Sequence, residues 1–364
     1  MSKPLRRSLG QLVVTGFAGM SIPAELQSLA RDTGLGGIIL FSRNVEAPDQ
    51  VAELAWAAQA LGREEPLWVS VDQEGGRVAR LTAPFTRWPP MCSLGRSGDL
   101  GLAGRFARAL AAELRAVGVT LNYAPVLDVH TNPENPVIGD RALSDQADQV
   151  ARLGAVIVEV LQTAGVAACA KHFPGHGDTS TDSHAELPVV SHVPDRLRVV
   201  ELEPFRAAIG RSVATIMIAH VLYPALDEDT PATLSSRIVT DLLRLELGFD
   251  GLITTDDMEM AAITKTLSIE DATVQAVAAG CDMVLLCGTD IDQHARSIEA
   301  LIRAVEEERL PRRRVEAALA RQQRVKARFL SDVSVWRPPA SGTLHTLLGC
   351  DEHAAIAQEM ERYL

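Results

Sequence analysis

The sequence lacks several patterns that mark common classes of protein, and each absence argues against one of these classes. No apolar run approaches the roughly 20 residues that a membrane-spanning helix needs, so we predict no membrane partner. Lys and Arg total 35 against 47 Asp and Glu, giving a net charge of −12, and this balance argues against a nucleic acid partner. Neither a Gly-x-Gly-x-x-Gly motif nor a P-loop occurs, so nothing favours an open nucleotide-binding sheet.

Paired cysteines are also missing. The five cysteines are scattered singly, at Cys92, Cys169, Cys281, Cys287 and Cys350. This spacing fits neither a disulfide framework nor a cysteine zinc site. It suits a reducing compartment.

The N-terminus superficially resembles a signal peptide, because basic residues precede an apolar stretch at 9–17. The stretch is short, however, and Gly10, Gln11 and Thr15 interrupt it. We interpret it as a first core strand and predict a cytoplasmic protein.

Eight short apolar runs alternate with longer amphipathic segments along the chain. The runs cover residues 11–17, 37–42, 67–73, 119–125, 167–173, 214–220, 251–257 and 283–289. Helical patterns lie between them at 50–61, 102–117, 147–164, 197–209, 238–247 and 291–307, and Gly118, Gly165 and Gly248 follow three of these. Strands alternating with helices predict a parallel sheet of right-handed βαβ units. Eight of them predict an α/β fold, a single (β/α)8 TIM-type barrel.

The domain organisation follows from the same patterns. We assign residues 1–330 to the catalytic barrel and residues 331–364 to a C-terminal extension that packs on it, beneath the barrel. A linker-like break precedes a short helical pattern at 352–363, which is too small for a second domain. The basic run Arg312–Arg314 follows an acidic stretch and is predicted to be a solvated helix end.

Residues 171–184, KHFPGHGDTSTDSH, are the most informative segment of the chain. Proline and glycine prevent a helix there, so the segment is predicted to be a loop after a core strand, where α/β proteins place their sites. It could be a solvated turn, a metal site or a metal-free loop for proton transfer and ligand binding. Pro174 and Gly175 lie between His172 and His176 and rule out the helical zinc pattern. We favour the third interpretation and predict no metal and no cofactor.

Polar residues end the predicted strands throughout the chain, at Asp72, Asn122, Asp128, Lys171, His172, His220 and Asp256–Asp257. In a barrel these ends converge on one rim, where catalysis is found. A carboxylate on that rim can attack an electrophilic carbon. Because side chains alternate along a strand, we expect one of Asp256 and Asp257 to line the site and the other to cap the next helix.

The chain resembles the family 3 glycoside hydrolases, and within them the bacterial β-N-acetylglucosaminidases of cell-wall recycling. The resemblance extends to about residue 330 and depends on six motifs in order. These are GGIILFSRN at 36–44, VDQEGGRVAR at 71–80, NYAPVLD at 122–128, IGDRAL at 138–143, the 171–184 loop and TDDMEM at 255–260.

The resemblance implies a role for each matching residue. Asp256 would be the nucleophile, His184 the proton donor and acceptor, and Asp182 the group that orients its imidazole. The sugar-binding positions would be Asp72, Arg80, Arg141, Lys171 and His172. The implied activity is retaining hydrolysis of terminal β-linked GlcNAc in peptidoglycan-derived muropeptides through a glycosyl-aspartate. The partner is then a small glycan.

A histidine acid is chemically sensible, because an imidazole titrates near neutrality without burial. Glu74, Glu259 and Asp257 are rival acids. The glycines and proline before His184 suggest that it is carried on a mobile flap.

Other functions stay open at this point. A histidine acid carries no negative charge, so an anionic phosphate could replace water as the acceptor, which would make the protein a phosphorylase on the same substrates. A broader β-glucosidase, a metal-dependent hydrolase using the loop and a catalytically silent sugar-binding barrel are further alternatives.

Overall fold

A computed structural model describes residues 7–62, 65–183, 186–331, 337–338 and 342–364. Eight parallel strands close into a barrel in chain order. They are β1 (Val13–Thr15), β2 (Gly37–Leu40), β3 (Trp68–Val71), β4 (Leu121–Asn122), β5 (Ala167–Phe173), β6 (Thr215–Ile218), β7 (Leu252–Asp257) and β8 (Met283–Leu286). The predicted (β/α)8 barrel is therefore confirmed.

The helices form the outer layer. They are α1 (Ala24–Thr33), α2 (Pro48–Gln59), α3 (Cys92–Ser97), α4 (Leu100–Ala116), α5 (Ala147–Thr163), α6 (Pro194–Val199), α7 (Glu203–Gly210), α8 (Arg237–Glu246, wound as a π-helix), α9 (Ala261–Thr264), α10 (Ile269–Ala279), α11 (Ile291–Glu306), α12 (Arg312–Phe329), α13 (Thr343–Leu347) and α14 (Asp351–Glu361). The predicted helix over 197–209 is two helices, because Pro204 begins α7 at its N-terminal turn.

Two apolar layers hold the barrel together. Alternate strand residues fill its interior, among them Val14, Ile39, Leu121 and Met217. The other strand face packs against the helices in a larger core. Strands buried on both faces explain why they appear in the sequence as continuous apolar runs.

Strand β4 is much shorter than the seven residues that the apolar run at 119–125 predicts. The amide of Ala124 turns back to the carbonyl of Asn122, and Pro125 has no amide hydrogen to donate. Regular strand geometry therefore ends at Asn122, although the carbonyls of Ala124 and Pro125 and the amide of Leu127 still hydrogen-bond to β5.

The prediction of a solvated helix end at Arg312–Arg314 is confirmed for Arg312 and Arg313, which are exposed, and is wrong for Arg314. The run begins α12, and the guanidinium of Arg314 donates to the carbonyls of Val277 and Cys281. It also lies 3.1 Å from the buried carboxylate of Asp282. Arg314 thus helps to fix α12 across the N-terminal end of the barrel.

The C-terminal helices α13 and α14 pack against α3 and α4 on the outer surface. The buried carboxylate of Glu113, on α4, accepts hydrogen bonds from Gly349 N and His353 Nδ1, both at 2.9 Å. The same carboxylate accepts from the Thr86 hydroxyl at 2.6 Å. One acidic group therefore joins the tail to the barrel's helical layer. A domain boundary at residue 330 stays a prediction.

In the ranges that the structure describes, no helix is both long and apolar enough to cross a membrane. None of the five cysteines, all of which lie in those ranges, forms a disulfide.

Candidate active site

Lys171 lies at the centre of a charged cluster on the rim. Its side chain is buried, and Nζ is 2.7 Å from both Asp72 Oδ1 and Glu74 Oε1. Burial alone would lower the pKa of Lys171, but the two carboxylates outweigh it and raise the pKa. The ammonium is therefore charged and held in one position.

Arg141 is the fourth member of this cluster and binds the same Glu74 carboxylate as Lys171. Its Nε and Nη2 lie 2.9 Å and 2.8 Å from the two carboxylate oxygens of Glu74, a bidentate arrangement. Glu74 is fully buried, and Lys171 and Arg141 overcome the effect of burial and lower its pKa far below the usual range. Glu74 therefore carries no proton near neutral pH, so it is excluded as the general acid. Its carboxylate orients two of the predicted sugar-binding cations.

His172 is oriented by Asp128, which lies in the segment after β4. Its Nδ1 lies 2.7 Å from Asp128 Oδ2, and its backbone amide donates to Oδ1 at 3.1 Å. Burial opposes ionisation of Asp128, but the neighbouring imidazoles and amides lower its pKa. The anion fixes the tautomer with a hydrogen on Nδ1, which turns Nε2 away from Asp128.

Asp256 lies near the end of β7, half-buried. Burial would raise its pKa, yet His172, His220, the amide of Asp257 and Lys171 together lower it. Its Oδ1 accepts a hydrogen bond from that amide at 2.8 Å. The structure thus provides an ionised carboxylate beside the cationic and imidazole groups of the rim, as a nucleophile requires.

Asp257 does not cap the next helix, so that expectation is wrong. Helix α9 begins after Met260 with no side-chain cap. Instead, Asp257 Oδ1 accepts from the amides of Glu259 and Cys287, both at 3.1 Å. The pairing of β7 with β8 shifts register between Thr254 and Asp257, so Asp257 ties the end of β7 to that of β8. Burial raises its pKa to about 6.

Glu259, the third of the rival acids, accepts from the amide of Gly288 and lies 3.7 Å from His294 Nε2. Burial alone would raise the pKa of Glu259, but the contacts with His294 and Gly288 outweigh this effect and lower the pKa. It is therefore ionised near neutral pH and does not suit the role of proton donor.

Arg80 lies at the edge of the cluster. Its Nη2 is 3.8 Å from Asp72 Oδ2, and its guanidinium lies 5.4 Å from the ring centre of Phe41. Arg43 lies over the same ring at 4.3 Å. Two cations and an aromatic ring therefore line this part of the rim. Phe41 and Arg43 were not among the residues predicted from the sequence to form the site.

The loop after β5 is anchored at several points. His176 donates its amide to Asp128 Oδ1 at 2.6 Å, and its ring contacts the hydroxyls of Thr179 and Ser183 at 2.9 Å and 3.2 Å. Burial lowers the pKa of His176 to about 4, so its imidazole is neutral and serves to hold the loop. Glycine is required at 177, where a Cβ would lie 1.9 Å from the carbonyl oxygen of Val129.

Asp178 provides the outer anchor of this loop. Its Oδ2 accepts from the Thr131 hydroxyl and lies 3.2 Å from His192 Nε2. Arg196 Nη2 lies 3.5 Å from that oxygen and 3.2 Å from Glu201 Oε1. Asp178, His192 and Glu201 have the donor types of a metal site, but the Arg196 guanidinium already places a positive charge between the two carboxylates. We therefore assign them to anchoring the loop.

His184 lies outside the described residues, so its position relative to Asp256 stays a prediction. Asp182 is described and half-buried, and its carbonyl accepts from the amide of Glu186. The structure thus brings Asp72, Arg80, Arg141, Lys171, His172 and Asp256 to one rim, while the His184–Asp182 dyad remains a sequence-based hypothesis.

Comparisons with known proteins identify the family of this chain. Residues 4–325 match the model of the glycosyl hydrolase family 3 N-terminal domain. Beta-hexosaminidase A of Pseudoalteromonas piscicida is 35% identical over 369 residues, covering 93% of this chain; the chain spans 60% of that protein's length.

Two solved structures are similar over nearly the whole chain. A family 3 beta-N-acetylglucosaminidase from Paenibacillus sp. superposes with a TM-score of 0.93 at 42% identity, covering 99% of this chain and 68% of that one. NagZ from Neisseria gonorrhoeae, solved with N-trifluoroacetyl-D-glucosamine, gives a TM-score of 0.78 at 30% identity, covering 97% of both chains.

The barrel, with an ionised carboxylate among fixed cations on its rim, and the match to the family model define an enzyme of the glycoside hydrolase class. The chain belongs to glycosyl hydrolase family 3.

Proposed function

We propose that the chain is a retaining exo-β-N-acetylglucosaminidase that removes terminal β-linked GlcNAc from peptidoglycan-derived muropeptides. The main structural support is Asp256, an ionised carboxylate beside the Lys171 and His172 cluster. The similarity to a beta-hexosaminidase and to a family 3 beta-N-acetylglucosaminidase supports the choice of sugar. We further propose that it acts in the cytoplasm without a metal or cofactor.

In the first step, an Asp256 oxygen attacks the anomeric carbon as the bond to the leaving group breaks. The leaving oxygen takes a proton from the imidazolium of His184, which Asp182 orients and stabilises. The products of this step are a glycosyl ester on Asp256 and the free aglycone. In the second step, neutral His184 takes a proton from water, and the oxygen of that water attacks the same carbon. The ester bond breaks and releases GlcNAc with its original anomeric configuration.

The cationic cluster would hold the sugar during both steps. Lys171 and Arg141 are fixed by Glu74 before substrate arrives, so binding costs little further ordering of these long side chains. Asp72 accepts from Lys171 through Oδ1, and its carboxylate retains capacity to accept from sugar hydroxyls.

The first experiment compares release of nitrophenol from 4-nitrophenyl β-GlcNAc and the matching β-glucoside, in phosphate-free buffer with a chelator. We expect rapid release from the GlcNAc compound alone. No release from either would contradict the proposal, and release restored by added phosphate, with a sugar 1-phosphate as product, would show a phosphorylase. Equal release from both would indicate a broader β-glucosidase.

Asp256→Ala tests the nucleophile. We expect a loss of at least about 10⁴-fold in kcat, as when the nucleophile of a covalent mechanism is removed. Added azide should then restore turnover and give the α-glycosyl azide, because azide attacks where the carboxylate did. Asp250→Ala, at an exposed position just before β7, is the matched control. An Asp256→Ala enzyme that keeps wild-type rates would exclude this residue as nucleophile.

A further inference from the structure

A cavity of about 250 Å³ lies at the end of the barrel opposite the rim. Its lining includes Gln11, just before β1, and Glu65, just before β3. Gln323 and Lys326 on α12 close it from below, and Arg7 and Arg31 also line it. The proposed hydrolysis uses none of these residues.

Lys326 is the unusual member of this lining. Only 2% of the residue is exposed, and Nζ lies 2.9 Å from the amide oxygen of Gln11. In the part of the chain that the structure describes, no carboxylate lies within ion-pair distance of Nζ. The nearby carboxylate of Glu65 accepts a hydrogen bond from Gln323 instead. Burial without a paired anion lowers the pKa of Lys326 to about 7.

The charge balance of the cavity indicates what would complete it. Among the described residues that line the cavity, the cations Lys326 and Arg31 outnumber the one carboxylate, Glu65, in a protein whose net charge is −12. A local excess of cations around a space this small suits a compact anion with several oxygen acceptors. Such an anion would give the ammonium of Lys326 the partner that the protein does not supply.

We propose that this cavity is a binding site for a small multivalent anion bearing phosphate or carboxylate groups, held by Lys326 with Arg31 at its mouth. Binding keeps Lys326 protonated, so near pH 7 it is accompanied by proton uptake. The site is remote from the rim, so its occupancy stabilises the fold without competing with the glycan.

The chain contains only four lysines, Lys3, Lys171, Lys265 and Lys326, which allows a direct test. Protein labelled with ¹³C-lysine should show one side-chain signal that titrates near pH 7, and Lys326→Met identifies it by loss. Inorganic phosphate and citrate serve as the two probes. We expect at least one to move this midpoint upward by about one pH unit, which corresponds to a tenfold preference for the charged form.

Thermal stability provides the second readout. The effective probe should raise the melting temperature of the wild type and of Lys265→Met, an exposed control, by the same amount. It should raise that of Lys326→Met less. Arg31→Ala alters only an exposed side chain, so it keeps the fold and should weaken binding about tenfold.

A response to phosphate alone would identify a phosphoryl ligand, and a response to citrate alone a carboxylate ligand. The proposal is overturned if neither probe moves the Lys326 titration, or if both stabilise Lys326→Met as much as wild type. Turnover of the GlcNAc substrate by Lys326→Met should be unchanged, so failure here is distinguishable from failure of the proposed hydrolase activity.

Discussion

The carboxylate of Glu74 faces the guanidinium of Arg141 through two parallel hydrogen bonds of 2.8 Å and 2.9 Å. The same carboxylate accepts from Lys171, so one buried anion sets the direction of two cations on the rim. A carboxylate placed in this way acts through the groups that it orients.

Glu74→Gln tests this positioning. A glutamine amide directs an NH₂ group at Arg141 or Lys171, so one of them must move. We expect kcat/KM for the GlcNAc substrate to fall by about 10²-fold, mainly through KM, because misplacement of about 1 Å has this effect. Exposed Glu316→Gln on α12 is the control. Wild-type kinetics in Glu74→Gln, with its fold intact, would show that the cations keep their positions without Glu74.

Asp256 and Asp257 are expected to respond to pH in opposite directions. The folded pKa of Asp257 is about 6, above its unfolded value near 3.8, so the folded state binds the extra proton. The free energy of unfolding therefore falls as pH rises from about 4 to 6, and the loss persists above pH 6. Asp257→Asn keeps an acceptor for Glu259 N and Cys287 N. We expect it to melt higher than wild type at pH 7.5, with little difference near pH 4.

The folded pKa of Asp256 is lowered, so this residue contributes stability above its unfolded pKa and loses it as the solution is acidified. Asp256→Asn should therefore melt lower than wild type at pH 7.5. Melting curves of both variants and of the wild type from pH 4 to 8 measure the direction of the change in melting temperature for each variant. Shifts of the same sign in both variants at pH 7.5 would contradict this assignment.

Asp178 is expected to matter most when the leaving group needs a proton. It anchors the loop six residues before His184, so Asp178→Asn should loosen the proposed acid while leaving Asp256 in place. We expect about a tenfold loss on chitobiose, whose leaving group is poor, and much less on the nitrophenyl glycoside. His184→Ala should show the same pattern more strongly. Equal losses of rate on both substrates would show that Asp178 does not act through acid catalysis.

The tail should contribute to stability through Glu113. Glu113→Gln replaces a charged acceptor of hydrogen bonds from Thr86, Gly349 and His353, and loss of such bonds costs about 2 kcal/mol. We expect a lower midpoint of urea unfolding and faster proteolysis before Thr343. Glu359→Gln, whose partner Arg105 is exposed, should change neither. An unchanged midpoint in Glu113→Gln would mean that apolar contacts alone hold the tail.

The barrel could be predicted from the sequence because strands buried on both faces leave continuous apolar runs, and polar residues mark their rim ends. Asp72, Lys171 and Asp256 were found in this way, since parallel strands bring their ends together. The short β4 and the contacts of Asp257 could not be predicted, because a turned-back amide at Ala124 and a register shift in β7 leave no periodic signal in the sequence.

The contacts between the side chains of the site could not be predicted from the sequence either. Glu74 and Arg141 are 67 positions apart and Asp128 and His172 are 44 apart, so no local pattern joins them. The glycines that follow Glu74 make it a rival acid in the sequence, whereas its burial between two cations gives it a different role. Arg314 appeared to be surface charge, because its partner Asp282 lies on another element.

Asp128 receives the ring of His172, the amide of His172 and the amide of His176 on its two oxygens. The proposed sugar-binding residue His172 and the approach to the His184 loop therefore share a single fixed point in the segment after β4. In evolution or in engineering, this loop cannot be exchanged independently of that position. A chimera that takes the loop from a relative would also need that relative's segment after β4, which supports the loop. We therefore expect the two segments to be exchangeable only as one unit.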